Sequence, residues 1–321
     1  MKSKTMKLAG ALLAISVMAG GATAQNWPKK TIRVVAAVPP GTPGDLIMRA
    51  MQADLQKDLG QAVVVDNKPG AGGNLAAQEV ARATDDHTFL VGPDTMLTIN
   101  PFLYKKLGFS PLQDLVPVTQ LGRTMQMLVC NPGEGIRTLG DFTVRAKGKE
   151  MTYASGGQGV PGHMAMEMLM ADLAIKMVHV PYKGPGPAML DVIGGQVPCG
   201  FLASGVVAPM VKSGKLVALG ASAIQRTDAA AEVPTIAEQG VKGFDASFFE
   251  ILAAPKGMPP EFVKRFQQAV VNALQLPEVR QRLLANDIKP IGNTPDLALE
   301  RTRADAKKWS VVADKLGLQL D

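Results

Sequence analysis

Cysteine, histidine and the larger aromatic residues are scarce in this sequence, which has two cysteines, three histidines, two tryptophans and three tyrosines. Two cysteines cannot build a disulfide scaffold. Cys130 and Cys199 lie in apolar, strand-like runs, a pattern that fits either a disulfide or two buried thiols. His87, His163 and His179 have no cysteine nearby and no partner three or four residues away, so the spacing of metal ligands is missing.

A large excess of positive or negative residues is also missing. Lysine and arginine number 34 against 28 acidic residues, which gives a formal net charge of +6. The basic residues are scattered, and few aromatic side chains are available to stack on bases. Both features argue against a nucleic acid partner.

The first residues follow the pattern of a secretory signal. Lys2, Lys4 and Lys7 precede an apolar run over residues 8–18, and small residues follow up to Ala24. The run is shorter than the roughly 20 residues that span a bilayer. We therefore predict a signal peptide over residues 1–24, cleaved near Ala24, and an exported mature chain.

Short β-branched runs alternate with longer helical patterns along the rest of the chain. Residues 45–59, for example, carry apolar side chains at four-residue steps, the stripe of an amphipathic helix. Strands are predicted over residues 31–38, 62–67, 87–92, 151–155, 177–182, 196–201, 215–222 and 248–257. This alternation is typical of an α/β fold with mostly parallel strands.

Three details of this pattern are specific expectations. Asn74 is predicted to cap the helix that follows it, and Thr294 to cap the last long helix. Residues 115–132 predict two strands joined at Gly122 and Arg123.

Two halves of the chain begin in the same way, with a strand, a glycine-rich turn and an amphipathic helix. The turns are VPPGTPGD (38–45) and ASGGQGVPGH (154–163). In open α/β sheets, ligands bind beyond the carboxyl ends of the strands, against helix N-termini. Two such units facing each other predict a hinged, two-lobed molecule with a cleft lined by N–H groups.

The second turn contains the pattern GxGxxG at Gly157, Gly159 and Gly162. A dinucleotide site also needs an acidic residue about 20 positions further on, after the next strand. Tyr182 and Lys183 stand there instead, so a nicotinamide cofactor is disfavoured and no cofactor is predicted. Two interpretations remain: a turn that only packs, or a nest of N–H groups that binds an anion.

In the anion-binding interpretation, successive N–H groups from Gly156 to Val160 converge on one carboxylate. Ser155 adds a hydroxyl donor, and the helix N-terminus adds roughly half a positive charge. His163 falls in the first turn of the following helix. It either contacts the ligand, or it has a helix-capping or surface role.

The loops after the first and third strands offer similar groups. Gly41 permits close approach of the backbone, and Thr42 carries a hydroxyl. Asp45 is either the helix N-cap or a partner for an amino group on the ligand. Asp94 and Thr95 follow the third strand and are candidate ligand contacts.

Evidence for catalysis is thin. The chain lacks the GxSxG nucleophile elbow. Ser155, His163 and Asp172 occur in order, but nine helical residues separate the last two, which is well over 10 Å at about 1.5 Å per residue. No catalytic residue is therefore predicted, and no enzymatic activity.

Ordered motifs along residues 26–321 carry a family resemblance. They include WPKKTIRVV, VPPGTPGD, GQAVVVDNKPGAGGNLAAQEVA, INPFLYKKL, VHVPYKG, GKLVALGAS, VPTIAEQG, LAAPKGMP and IGNTP. Together they resemble the Bug family, the periplasmic solute-binding receptors of tripartite tricarboxylate transporters.

The resemblance implies a type II periplasmic-binding-protein fold with two α/β lobes. Residues 25–122 and 250–321 would form lobe 1, and residues 123–249 would form lobe 2, inserted into it. It also implies that loops around the cleft bind the ligand, including the strand end at Ala203 and Ser204. The complete set of candidate ligand-binding residues is Pro40, Gly41, Thr42, Asp45, Asp94, Thr95, Ser155, Gly156, Gln158, Gly159, Val160, His163, Ala203 and Ser204.

The chain departs from the family pattern at several of these places. The family usually reads PGGPTD where this chain reads PGTPGD, so Thr42 replaces glycine and Gly44 replaces threonine. Val160 stands where serine is common, and Leu202 where aspartate is common. Fewer polar side chains then face the cleft, which suggests a less polar acid, aromatic or singly charged.

We accordingly expect a monomeric periplasmic receptor that binds a small organic acid and delivers it to the permease subunits of a tripartite transporter. Two alternatives remain from the sequence: an exported sensor or adaptor of a signalling receptor, and an exported enzyme acting on small acids.

Overall fold

Two β-sheets organise residues 27–317, 319 and 320, the residues that this computed structural model describes. The predicted signal peptide, residues 1–24, lies outside them. The strands are β1 (Ile32–Ala36), β2 (Val63–Asn67), β3 (Thr88–Pro93), β4 (Leu115–Thr124), β5 (Gln126–Cys130), β6 (Thr152–Ser155), β7 (Val178–Pro181), β8 (Cys199–Ala203), β9 (Val217–Ala221), β10 (Phe248–Pro255) and β11 (Lys289–Pro290).

Helices connect these strands and cover both faces of the sheets. They are α1 (Pro43–Leu59), α2 (Asn74–Ala81), α3 (Thr95–Thr98), α4 (Asn100–Leu103), α5 (Leu139–Gly148), α6 (Pro161–Leu173), α7 (Pro185–Ile193), α8 (Ser204–Lys212), α9 (Pro260–Gln275), α10 (Pro277–Ala285) and α11 (Pro295–Leu316). Among the described residues, no helix combines the length and apolar character needed to cross a bilayer.

Each sheet joins a parallel part to an antiparallel part. The first sheet has the order β11–β4–β10–β3–β1–β2, with β1 parallel to β2 and β3, and β10 antiparallel to β3 and β4. The second has the order β7–β6–β8–β5–β9, with β6 parallel to β7 and β8, and β5 antiparallel to β8 and β9. Because parallel strands share a direction, the loops after β1 and β3 leave one edge of the first sheet, and those after β6 and β8 leave one edge of the second.

The chain crosses between the sheets at two places. Met125 alone separates β4 of the first sheet from β5 of the second. The chain returns between Ala221, at the end of β9, and Phe248, at the start of β10. Ser222 ties the two crossings together, because its hydroxyl accepts from the Gln126 amide at 2.9 Å and donates to the Ala246 carbonyl at 2.8 Å.

The predicted strand junction at Gly122 and Arg123 is wrong, since both residues lie inside β4. Gly122 is needed for close packing and not for a turn: a Cβ atom there would come within 2.8 Å of Ile288 and 3.2 Å of the Lys289 carbonyl. Glycine therefore lets β11 pair with β4 at this point.

The predicted apolar stripe of the first helix is buried as expected. Ile47, Met51, Leu55 and Leu59 in α1 pack with strand residues of the first sheet and with α9. Beside the second sheet, Phe142 of α5 and Tyr153 of β6 belong to a core that also includes Trp309 of α11. Trp309 stacks on Phe248 at 5.4 Å between ring centroids. The last helix thus packs against elements of both sheets.

The two cap predictions have different outcomes. Thr294 caps α11, with its hydroxyl accepting from the Leu297 amide at 3.3 Å. Asn74 does not cap α2, because Gly73 occupies the N-cap position. The Asn74 side chain instead accepts a hydrogen bond from Asn100 at 2.7 Å. Competition from this tertiary partner explains the wrong prediction.

Cys130 and Cys199 form a disulfide across the antiparallel pair β5 and β8, where the two residues are direct register partners. The bond closes a sequence separation of 69 residues. Replacing both cysteines with alanine should lower the free energy of unfolding by about 2–4 kcal/mol, because the unfolded chain regains loop entropy. Urea unfolding of both proteins would measure this, and two free thiols in the oxidised native protein would contradict it.

Candidate ligand-binding site

Two adjoining cavities lie between the sheets, at the ends of β1, β3, β6 and β8. The inner cavity has a volume of about 80 Å³ and the outer cavity about 820 Å³. The inner cavity is lined by Val38, Pro39, Thr42, Pro43, Pro93, Thr124, Gln126, Gly156, Val160, Pro161, Gly162, Gly184, Pro185, Phe201, Leu202, Ala203 and Glu250. The two cavities share Val38, Pro39, Pro93, Gly156, Val160 and Gly184, so they are parts of one cleft.

Four helices begin at the inner cavity. The N-cap residues of α1, α6, α7 and α8 are Thr42, Val160, Gly184 and Ala203, and all four line it. None of the four makes a side-chain capping hydrogen bond. A helix N-terminus presents N–H groups without intrahelical acceptors and a partial positive charge. The inner cavity therefore lies at the positive ends of four helices, an arrangement that stabilises an anion.

The loop after β1 uses most of its polar groups internally. The Gly41 amide donates to the Asp45 carboxylate at 2.9 Å, and the Thr42 hydroxyl donates to the Pro39 carbonyl at 2.7 Å. Asp45 also accepts from Arg49 at 2.8 Å and is 1% exposed. Asp45 is not the N-cap, since Thr42 occupies that position. The Asp45 carboxylate thus holds the loop after β1 against the first turns of α1.

The loop after β6 combines internal bonds with amides that face the cleft. The Ser155 hydroxyl lies 2.7 Å from His179 Nε2 and donates to the Gly157 carbonyl. Among the described residues, the amides of Gly156, Gln158 and Val160 have no protein acceptor. All three residues line the outer cavity, and Gly156 and Val160 also line the inner one.

His163 lies beneath this loop and not in the cleft. It is 2% exposed, and its Nδ1 atom accepts from the Gly159 amide at 3.1 Å. Its Nε2 atom lies 3.5 Å from Glu167. Its ring stacks on His179 at 4.1 Å between centroids. His163 thus fixes the shape of the loop.

Asp94 and Thr95 line neither cavity, although Pro93 lines both. Asp94 is 3% exposed; its amide donates to the Phe249 carbonyl at 2.8 Å, and its Oδ1 atom accepts from the Phe249 amide at 3.2 Å. Burial, and secondly the carboxylate of Asp305, raises the pKa of Asp94 well above its usual range. Asp94 therefore anchors α3 to β10.

The predicted site residues thus divide into two groups. Thr42, Gly156, Gln158, Val160 and Ala203 line the cleft. The others lie outside its lining, namely Pro40, Gly41, Asp45, Asp94, Thr95, Ser155, Gly159, His163 and Ser204. Pro40 and Gly41 are exposed at the surface, and the remaining seven are buried. Ser204 hydrogen-bonds the Met125 carbonyl and the Asp287 carboxylate.

Sequence analysis missed several polar residues of the cleft. Among them, Lys106 and Lys183 line the outer cavity, and Gln126 and Glu250 line the inner one. Gln126 and Glu250 interrupt the apolar strand runs TMQMLVC and FFEILAAP. A polar residue inside such a run was the sequence signal that could have identified them. Within the described residues, no group of three or more His, Cys, Asp or Glu is arranged to hold a metal ion.

The family model for the tripartite tricarboxylate transporter family receptor matches residues 47–318. The chain belongs to this receptor family. The resemblance to Bug proteins is thereby confirmed, and the family is one of receptors and not of enzymes. BugT of Bordetella pertussis is 29% identical to this receptor and covers 99% of both chains.

Solved structures confirm the two-lobed α/β fold of the receptor. R. palustris Rpa4515 with adipate has a TM-score of 0.86 at 26% identity, covering 91% of this chain and 99% of that one. MatC (Rpa3494) from Rhodopseudomonas palustris, with bound malate, has a TM-score of 0.84 at 29% identity, covering 89% and 100%.

The glycine-rich turn yields a first prediction for this site. A Cβ atom on Gly162 would lie 2.0 Å from the Phe201 carbonyl oxygen, so α6 could not keep its distance from β8. Gly162→Ala should therefore lower the free energy of unfolding by about 1–3 kcal/mol. Gly148→Ala is the matched control, because no atom lies within 4 Å of the added Cβ. Equal thermal stability of the two variants would contradict this assignment.

His179 yields a prediction about pH. Burial, and then neighbouring His163, lowers the pKa of His179 to about 3, against an ordinary value of about 6.5. Between these values the unfolded chain takes up a proton that the folded protein does not. Stability should therefore fall as pH decreases from 6.5, by up to about 1.4 kcal/mol per pH unit. Urea unfolding at pH 7 and 5 should show a smaller loss for His179→Gln than for the wild type.

Proposed function

We propose that this protein is a periplasmic solute-binding receptor that captures a small organic carboxylate in the cleft and delivers it to a membrane permease. The single observation that carries this proposal is the convergence of four uncapped helix N-termini on one cavity. Carboxylates are natural partners for such N–H groups. The adipate and malate bound by the two related proteins support the same ligand class.

The ligand-facing donors in this proposal are backbone amides. Gly156, Gln158 and Val160 supply one set. Gly162 in the first turn of α6 adds another donor, since Pro43 and Pro161 have no N–H. A hydrogen bond to a charged acceptor contributes about 1.5–3 kcal/mol. Three or four such bonds are sufficient for micromolar affinity, about 8 kcal/mol. Lys106 and Lys183 in the outer cavity would attract the anion towards the cleft.

The middle of the ligand would contact apolar groups. Pro43, Pro161, Pro185, Phe201 and Leu202 line the inner cavity. This lining favours an acid with an apolar segment between or beside its charged groups, in line with the loss of polar side chains at Val160 and Leu202. This preference would be contradicted if citrate bound tightly and none of the less polar acids did.

Export and lobe closure complete the proposal. Residues 1–24 would direct the chain to the periplasm and be removed near Ala24. Residues 25–122 and 250–321 would move as one lobe and residues 123–249 as the other. The two sheet crossings near Met125 and between Ala221 and Phe248 support this division, because the hinge of a two-lobed receptor lies where the chain changes sheets.

A thermal-shift screen tests the ligand class. Malate, adipate, citrate, benzoate and an amino acid series would each be added to the mature protein. A carboxylate at 100 times its dissociation constant should add about 2.7 kcal/mol of stability. Recovery of the ligand unchanged is expected of a receptor, and conversion to product would contradict the proposal. A protein that no carboxylate stabilises would contradict it as well.

A charge placed at the α6 N-cap should compete with the ligand. Val160→Asp would supply the missing cap, worth about 0.5–2 kcal/mol of stability, but would also put a carboxylate in the cleft. Val160→Asn caps the helix without the charge and is the matched control. Isothermal titration should show an affinity at least about tenfold lower for the aspartate variant than for the asparagine variant. Equal affinities would contradict the role of the helix N-termini in anion binding.

A further inference from the structure

A buried carboxyl group without a partner faces the inner cavity. Glu250 of β10 is 3% exposed, and its Oε2 atom has no hydrogen-bond partner among the described residues. A buried polar group without a partner is costly and rare in folded proteins, so it calls for a physical explanation. None of the contacts of the disulfide, the loops or the core described above explains why the Glu250 carboxyl group is buried.

The surrounding backbone is adapted to this side chain. The pairing of β10 with β4 shifts register between Glu250 and Ile251, an irregularity that re-aims side chains. A Cβ atom on Gly44 would lie 2.8 Å from Glu250 Oε2. Gly44 is also where this chain lacks the threonine of the family pattern. The first turn of α1 therefore leaves room for the carboxyl group.

A second polar side chain without a partner lines the same cavity. Gln126, the first residue of β5, is 5% exposed. Its backbone is held by Ser222, but its carboxamide makes no hydrogen bond to a described residue. Glu250 belongs to the first sheet and Gln126 to the second, so a ligand bonded to both would connect the two lobes.

The chemistry of the cavity identifies what these groups can bind. Within the part of the chain that the structure describes, no lysine or arginine lines it, and most of its lining is apolar. Burial raises the pKa of Glu250 to about 8, so its carboxyl group is neutral at pH 7 and has an O–H to donate. The carboxamide of Gln126 has two N–H donors. The four helix N-termini at this cavity favour negative charge.

The volume fits a ligand terminus. One water molecule requires about 10–15 Å³ by the same measure, so a cavity of about 80 Å³ has room for a carboxylate and part of its chain. The remainder of the ligand would extend into the outer cavity, with which the inner one is continuous.

We propose that Glu250 and Gln126 are specificity-determining residues that bind a carboxylate terminus of the ligand in the inner cavity. The Glu250 carboxyl donates its O–H to one carboxylate oxygen, and the Gln126 amide donates an N–H to the other. This inference rests on the proposed function, since it assumes a carboxylate ligand. It adds the prediction that the ligand terminus in the inner cavity accepts hydrogen bonds from the neutral Glu250 carboxyl group and the Gln126 amide. A cationic terminus bound by an ionised Glu250 carboxylate is not expected.

Three variants of Glu250 and Gln126 test this assignment. Isothermal titration at pH 7 would use whichever of malate, adipate, citrate and benzoate binds the wild type most tightly. Glu250→Gln keeps a donor of similar shape and should retain affinity within about threefold. Glu250→Leu removes the donor and should lower affinity about tenfold to hundredfold. Gln126→Leu should also lower affinity, and it provides an independent variant if the leucine at position 250 prevents folding.

Thermal unfolding without ligand separates binding from folding. Glu250→Leu replaces an unpaired buried carboxyl with an apolar side chain, so its melting temperature should equal or exceed that of the wild type. Weaker binding together with unchanged or higher stability would be the signature of a ligand contact.

The possible results distinguish this inference from the proposed function. A wild type that binds a carboxylate, with Glu250→Leu binding equally well, would overturn the inference alone. Equal losses in Glu250→Gln and Glu250→Leu would also overturn it, because they would assign the site to an ionised carboxylate. A wild type that binds none of the acids would overturn the proposed function.

Discussion

The structure depends on helices that begin at the cleft without side-chain caps. Serine, threonine, aspartate and asparagine are the usual N-caps, yet Val160, Gly184 and Ala203 cannot bond the first-turn amides, and the Thr42 hydroxyl bonds Pro39 instead. The helices that begin at Val160 and Ala203 thereby give up about 1 kcal/mol of capping stability each, and the one at Gly184 a few tenths of that. The amides that remain are concentrated around one cavity. Helices α9 and α10 also begin without a side-chain cap, so what distinguishes the cleft is that four helix N-termini meet at one cavity.

The polar residues of the loops serve this arrangement indirectly. Asp45 holds the loop after β1 by binding the Gly41 amide, and His163 holds the loop after β6 by binding the Gly159 amide. A backbone nest binds an anion only if its amides keep their positions, because ordering them on binding would cost conformational entropy. In the proposed receptor, Asp45 and His163 would therefore contribute to affinity through preorganisation.

Several elements of the fold followed from local patterns. The apolar stripe of α1 and the β-branched runs of β1 and β2 predicted their structures, because four-residue steps match a helix and short β-branched runs favour strands. Helix α8 was missed, since its sequence SGVVAPMVK contains glycine, proline and three valines, all unfavourable in helices. Packing of Val207, Met210 and Val211 in the core beside the second sheet stabilises it nonetheless. Gly122 was misassigned because glycine permits both turns and close packing, and only the neighbouring β11 decides between them.

The sequence by itself determined the α/β class, the two glycine-rich turns and the family, because these are properties of local pattern and ordered motifs. Only the tertiary structure decided which polar groups face the cleft. Whether Ser155 or Asp45 is available to a ligand depends on His179, Gly41 and Arg49, and the position of each partner is fixed by the fold. Glu250 and Gln126 reach one cavity from strands of different sheets. Sequence spacing cannot reveal such a meeting, because it arises from how the two sheets are placed against each other.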